Sequence, residues 1–298
     1  MNTRRLKDLV ASKIMFSAAI LSSLIVLITA LALFYRSMPI LKTQSLSDLL
    51  LSSSWHPWRG EFGFYPFIMG TLWVTALAMV LSIPISLLTS IYLAEYAPSK
   101  VRGIMKPMMD LLAGIPSVVY GLWGVLVVVP LIREYVAPLA GVISTGYTVL
   151  AGGIVLAIMV FPIIISVSEE VIRAVPRETR EASMALGATR WQTVKHVVIR
   201  SSLPGIIAAI ILGFGRAFGE TMAVLMVVGN VPKAPSSLYD PAYPLPALIA
   251  NNYGEMMSIP LYDSALLLAA LILLLTVLLF SVAAEIILVR IKRRYSLG

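Results

Sequence analysis

Of 298 residues, 59% are hydrophobic and 13% charged, and the mean hydropathy is +0.90. Ordinary soluble domains carry roughly 25% charged residues, so this composition excludes a water-soluble globule and makes lipid the solvent for much of the chain. Cysteine is absent, which excludes a disulfide framework and thiolate metal sites, while the net charge of +8 raises nucleic acid as a partner.

A bilayer core about 30 Å thick needs ~20 apolar residues per helical span. The weak ten-residue alternation of a membrane barrel is missing, so the expected fold is an all-α polytopic membrane protein. Apolar runs predict six spans near 14–35, 67–94, 107–132, 147–168, 203–229 and 262–289. Basic residues before the first span, and its Ala30-Leu31-Ala32 ending, resemble a cleaved signal peptide. The run continues through Leu33, Phe34 and Tyr35, however, and is long enough to be a retained span. In the following link, Trp55, Trp58 and Tyr65 suit a membrane interface.

Glu95 and Asp110, at the ends of the next spans, read as interfacial or loop-pairing residues. Gly114, Pro116, Gly121 and Gly124 predict a kinked or broken third span, from packing or from backbone that lines a pathway. The longest polar stretch, 168–202, reads as a helix-glycine-helix elbow. Pro176 suits a first helical position, Glu178 and Glu181 sit early, and Gly187 can end the helix left-handed. Thr189 with Gln192 then forms a capping box for the second arm. The first arm is a short amphipathic helix, suited to a partner's groove or to lipid headgroups.

In the fifth span Arg216 lies thirteen residues after Leu203, ~20 Å along a helix and near the bilayer midplane. A charge there is costly and is expected to face protein or an aqueous path. Glu220, four residues on, is expected to share its helix face and neutralise it between transport events. The guanidinium fork matches phosphate oxygens bidentately, and the carboxylate would keep an anion from binding too tightly. The alternative is an intrahelical ion pair that only orients the helix. Gly215 and Gly219 offer a smooth surface for close helix packing. The stretch 230–261, rich in proline (Pro232, Pro235, Pro241, Pro244 and Pro246 among them), is expected to be an ordered or re-entrant loop rather than a helix. Glu285 and the basic run Arg290, Lys292, Arg293 and Arg294 read as an edge feature of the sixth span.

Lys and Arg distribute 17 to five between the two sides of this topology, with Arg216 inside a span. That asymmetry predicts cytoplasmic termini and a cytoplasmic elbow, and it accounts for the basic charge without nucleic acid. No lysine follows a glycine, so the chain has no P-loop and energy must come from another subunit. An intramembrane enzyme would want a nucleophile-base pair, a zinc motif or paired aspartates; an ion-coupled carrier would want inverted repeats or several midplane carboxylates.

Glu181-Ala182-Ser183-x-x-x-Gly187 resembles the EAA loop of ABC importer permeases, although Leu203-Pro204 falls one turn later than usual in that family. Three further segments resemble the permeases of the high-affinity phosphate system. They run from Ile91 to Pro98 (IYLAEYAP), Ile115 to Gly124 (IPSVVYGLWG) and Gly215 to Val224 (GRAFGETMAV), the last favouring the PstC over the PstA type. The resemblance covers roughly 60–298. It implies the six-helix type I ABC importer permease fold, with an N-terminal part over 1–66 and a permease core over 67–298. It also implies a coupling elbow that docks on an ATPase through Glu178, Glu181, Ala182 and Gly187, and a pathway with Arg216, Glu220, Ser117 and Tyr120. The implied partners are a PstA-type permease, two copies of a cytoplasmic ATPase that holds ATP and Mg, an external phosphate-binding protein, phosphate and lipid. No cofactor is expected on this chain, and its place would be the inner membrane. On the residues alone, phosphate and another tetrahedral oxyanion such as sulfate stay open.

Overall fold

The computed structural model describes residues 3–254 and 258–295, with the side chains at 3–9, 287 and 291–295 outside the described set. Met1 and Asn2, and the side chains of Lys292, Arg293 and Arg294, therefore lie outside the described residues. Among the described residues, six helices are long and apolar enough to cross a bilayer: Val10–Thr43, Tyr65–Tyr96, Ser117–Leu139, Val149–Arg173, Arg190–Gly219 and Tyr262–Arg290. We call them spans one to six.

Span four is the hub. Its Val155, Leu156, Met159, Val160 and Ile164 are buried against Val74 and Ala78 of span two and Ala217 of span five. Small residues permit that approach. A Cβ on Gly153 would stand 2.5 Å from Leu77, and one on Gly213 of span five 2.6 Å from Ile164. In lipid, close van der Waals contact of this kind replaces the hydrophobic drive that holds soluble bundles together.

The limits of spans three and five shift most from those expected. The third span starts at Ser117 rather than near 107, because the residue before a proline is disfavoured in the α region. Ile115, preceding Pro116, is extended at ψ 129°. Residues Ser99–Gly114 instead form a separate amphipathic helix whose Val101, Met105 and Met109 pack on Leu93, Ala97 and Ile165. The fifth span begins earlier, at Arg190, where the Thr189–Gln192 capping box starts a helix that runs through a π-helical turn at Val194–Val198 and past Pro204. It ends at Gly219, ten residues before the expected limit, and a short helix Met222–Val227 follows.

The end of the bundle opposite the elbow is capped by a second core. Trp55 packs its ring against Phe62, Phe64, Phe67 and Tyr262, with centroids 4.8–6.2 Å apart, so it is a core residue and not an interface anchor. Trp58 remains 80% exposed. The proline-rich stretch is ordered and folds back onto the bundle, donating from Ala242 N to Val228 O and from Leu245 N to Thr71 Oγ1, both 2.9 Å. It does contain a helix, Leu245–Asn252, contrary to expectation, because Pro244 and Pro246 sit at its start, where the missing N–H costs nothing.

Candidate functional site

The elbow forms as its residues dictate. The first arm is Arg177–Ala185, with Pro176 just outside as the N-cap rather than at the first helical position. Gly187 takes φ +88°, its N–H donates to Met184 O (2.9 Å) and Ala188 N to Ser183 O (3.3 Å). Those two bonds are a Schellman motif, which satisfies carbonyls that the helix end leaves free. Ser183 Oγ and Thr193 Oγ1, 3.0 Å apart, tie the two arms together. Glu178, Glu181, Ala182 and Gly187 are all exposed, and Leu186 at the tip is 90% exposed beside exposed Met184 and Trp191.

Sequence reasoning missed what holds this elbow to the membrane part. Arg180 donates Nε and Nη2 to Glu95 Oε1 at 3.1 and 2.7 Å, and Nη2 also reaches Ile172 O at 2.9 Å. Its Nη1 donates to the Val175 and Pro176 carbonyls. From the second arm, Arg190 donates to Glu95 O and lies 4.7 Å over the Tyr96 ring. Glu95 and Arg180 side chains are only 9% and 16% exposed, so the pair is shielded from solvent. Both arms of the elbow reach Glu95 of span two, the first through its carboxylate and the second through its backbone carbonyl, while Arg180 also ties in the last turn of span four. The loop-pairing expectation for Glu95 thus gains its partners; Asp110 is exposed and has none of this kind among the described residues.

Arg216 lies three residues before the end of span five. Gly213 packs on Ile164 and Val160, and Ala217 shares a small cavity with Leu156, so Arg216 sits level with residues 156–160 of span four, inside the apolar slab. Among the described residues it makes no hydrogen bond or ion pair, and it is exposed. The same face carries Gly215 and Gly219, where an added Cβ would meet nothing within 4 Å, and exposed Leu212. Across from it, Val118, Val119 and Leu122 of span three are exposed as well. Among the described residues, then, the glycines of span five that meet a neighbouring span closely are Gly205 against Val171 and Gly213 against Ile164, not Gly215 and Gly219.

The expected pairing with Glu220 does not occur. Helix ends at Gly219, and Glu220 is extended (φ −74°, ψ 126°), which turns it off the Arg216 face. Its Oε1 instead accepts from Ala223 N at 3.4 Å at the start of Met222–Val227, and it lines a small interior cavity with Thr71, Thr75 and Pro244. A carboxylate suits that position, where a helix begins. Tyr120 is buried within electrostatic reach of Arg216, but its hydroxyl donates to Leu112 O at 2.8 Å and so bridges the break at Pro116. Ser117, half-buried in the first turn after that break, has no hydrogen-bond partner among the described residues. The glycines of span three serve packing: a Cβ on Gly121 would lie 2.6 Å from Met226 Sδ, and one on Gly124 2.7 Å from Val155 and Val227.

The geometry is thus a six-span bundle with an exposed elbow at one end and an exposed arginine on span five. The chain matches, over residues 86–296, the family described as binding-protein-dependent transport system inner membrane component. It belongs to that family of inner-membrane permeases and, within it, to the PstC family of phosphate transport system permeases. A PstC of Xylella fastidiosa is 36% identical over 95% of this chain and 91% of its own length. A PstC of Mesorhizobium japonicum is 35% identical over 93% and 89%. A probable PstC of Methanocaldococcus jannaschii is 33% identical over 79% and 80%. Among solved structures, a bacterial alginate ABC transporter matches with TM-score 0.62 at 16% identity over 93% of this chain and 94% of that one. The MetNI methionine ABC transporter matches with TM-score 0.58 at 21% identity over 74% and 93%. Both likenesses establish the fold, that of type I ABC permeases.

Proposed function

We propose that this chain is a permease subunit of an ATP-driven phosphate importer and forms half of a pathway that works by alternating access. The observation that carries the reading is Arg216, unpaired and exposed at the depth of the bilayer. Against lipid, an arginine at helix centre costs about 2.5–3.5 kcal/mol on insertion scales, so the face must meet protein or water. A homologous PstA-type permease laid on Gly215 and Gly219 would cover it and leave the guanidinium at the seam between subunits, where its fork can hold phosphate oxygens. Ser117 and Tyr120 stand at the broken start of span three as secondary contacts, and Glu220 acts by fixing the turn after Arg216, not by neutralising it.

Energy enters from the other end. Of two copies of a cytoplasmic ATPase, which hold ATP and Mg, one docks on this elbow through Glu178, Glu181, Ala182 and Gly187, beside exposed Leu186, and closure of the pair swings the spans. The chain itself hydrolyses nothing and binds no cofactor in this scheme. An external phosphate-binding protein supplies the ligand. The 17 to five bias of Lys and Arg supports cytoplasmic termini in an inner membrane.

The test is radiolabelled phosphate uptake into vesicles that hold the whole complex. Arg216→Gln is expected to abolish uptake while the complex still assembles and binds its ATPase. Unimpaired uptake by that variant would sink the assignment. Competition by excess sulfate as strong as by arsenate would instead favour a general oxyanion permease, and uptake driven by an ion gradient without ATP would favour a secondary carrier.

A further inference from the structure

We propose that the cleft between helix Ser99–Gly114 and the last turn of span four is a binding site for a phosphate-bearing anion. The cleft has a volume of about 430 Å³, and in it Ser99, Arg102, Lys106 and Asp110 face Arg173. On a helix, residues three and four apart share a face, so the first four stand in one row. Val101, Met105 and Met109 on another face are packed into the bundle, which fixes the rotation of the helix and keeps the row turned to the cleft.

The cations there are differently committed. Arg102 donates Nε to Leu93 O (3.1 Å) and Nη2 to Ala97 O (3.0 Å), so its guanidinium is held rigidly with Nη1 left to give. Arg173 has Glu169 Oε1 at 3.5 Å, a long contact that leaves most of its fork unused. Lys106 is exposed and makes no hydrogen bond or ion pair among the described residues. Three cations thus face one lining carboxylate, Asp110, with Glu169 behind Arg173. A Cβ added at Gly103, on the floor of the cleft, would meet nothing within 4 Å, so there is room for an anion's shell. Two guanidinium groups and one ammonium around such a space match the oxygens of a phosphate group, by bidentate donors and a point charge together.

That chemistry has two sources. One is the headgroup of an anionic phospholipid, whose tails could lie along the exposed Ile104, Met108 and Leu111 of the same helix. The other is inorganic phosphate. The site lies at the elbow end, far along the bundle from Arg216, and the proposal does not rest on the pathway assigned to that residue.

The experiment uses the full chain in phosphatidylcholine nanodiscs. In one arm phosphatidylglycerol is added and its retention is counted by native mass spectrometry; in the other inorganic phosphate is titrated by equilibrium dialysis. Loss of two charge-assisted contacts predicts at least about tenfold weaker binding by Lys106→Gln/Arg173→Gln in one arm, with binding that weakens as salt rises. Arg216→Gln should leave phosphatidylglycerol retention unchanged. Loss in the lipid arm identifies a headgroup site and loss in the phosphate arm a free-phosphate site. Equal binding by wild type and double variant in both arms overturns the proposal, as does phosphate binding lost in Arg216→Gln alone. If circular dichroism shows the double variant unfolded, Lys106→Gln, at an unpaired exposed side chain, carries the same comparison.

Discussion

Arg216 is the residue whose place in the chain and place in space agree best. A lone arginine in an apolar run announces its cost whatever the fold, so its importance was legible in the sequence. The turn at Glu220 was not, because nothing in Gly219-Glu220-Thr221 obliges a helix to stop: no proline is present, and the cavity that Glu220 lines is completed by Thr71 and Pro244, which lie far away in sequence. The glycines separate on the same ground. Gly215→Leu is expected to leave the fold of the isolated chain intact and to impair association with the partner permease, checked by co-purification. Gly213→Leu drives a side chain into Ile164 and should destabilise the chain itself by about 1–3 kcal/mol, the range for overpacking, read as a lower melting temperature in detergent.

At the scale of elements, the elbow was readable because its signals are local: a capping box that spans four residues, a glycine at the elbow position that needs positive φ, and acidic Glu178 in the first turn. Its brace was unreadable because Glu95 and Arg180 are 85 residues apart. Charge pairs at such a distance carry no periodic mark. The boundaries of spans three and five failed for a related reason: apolar character continues across Pro116 and across Gly219, while the backbone does not. The brace also makes a prediction. Removing one partner of a shielded ion pair leaves the other unpaired, at roughly 3–5 kcal/mol, so Glu95→Ala should lower stability. Glu95→Gln keeps a hydrogen-bond acceptor and should fold better, yet it should still separate ATP hydrolysis from uptake, lowering phosphate moved per ATP. A brace with a purely structural role would lower both rates together and leave that ratio unchanged.

For the whole molecule, the number of spans and the class of fold came from lipid physics alone, while the sidedness proposed for it rests on charge bias. The chain carries no cysteine of its own, so single introduced cysteines can test it cleanly. Leu186→Cys at the elbow tip and Trp58→Cys at the opposite end both replace strongly exposed side chains. With an impermeant maleimide on intact cells from which any outer barrier has been removed, Trp58→Cys should label and Leu186→Cys should label only after the inner membrane is opened. The reverse pattern would invert the molecule and move the elbow away from any cytoplasmic ATPase.

The open face of span five has a consequence for how cells must make this protein. On the proposed pairing, a subunit without its mate would hold a bare guanidinium and two smooth glycines against lipid tails, an arrangement whose penalty disappears only when the face is covered. Solitary copies would then be the strained species in the bilayer, and supply of the two permeases in matched amounts would become a condition for either to persist.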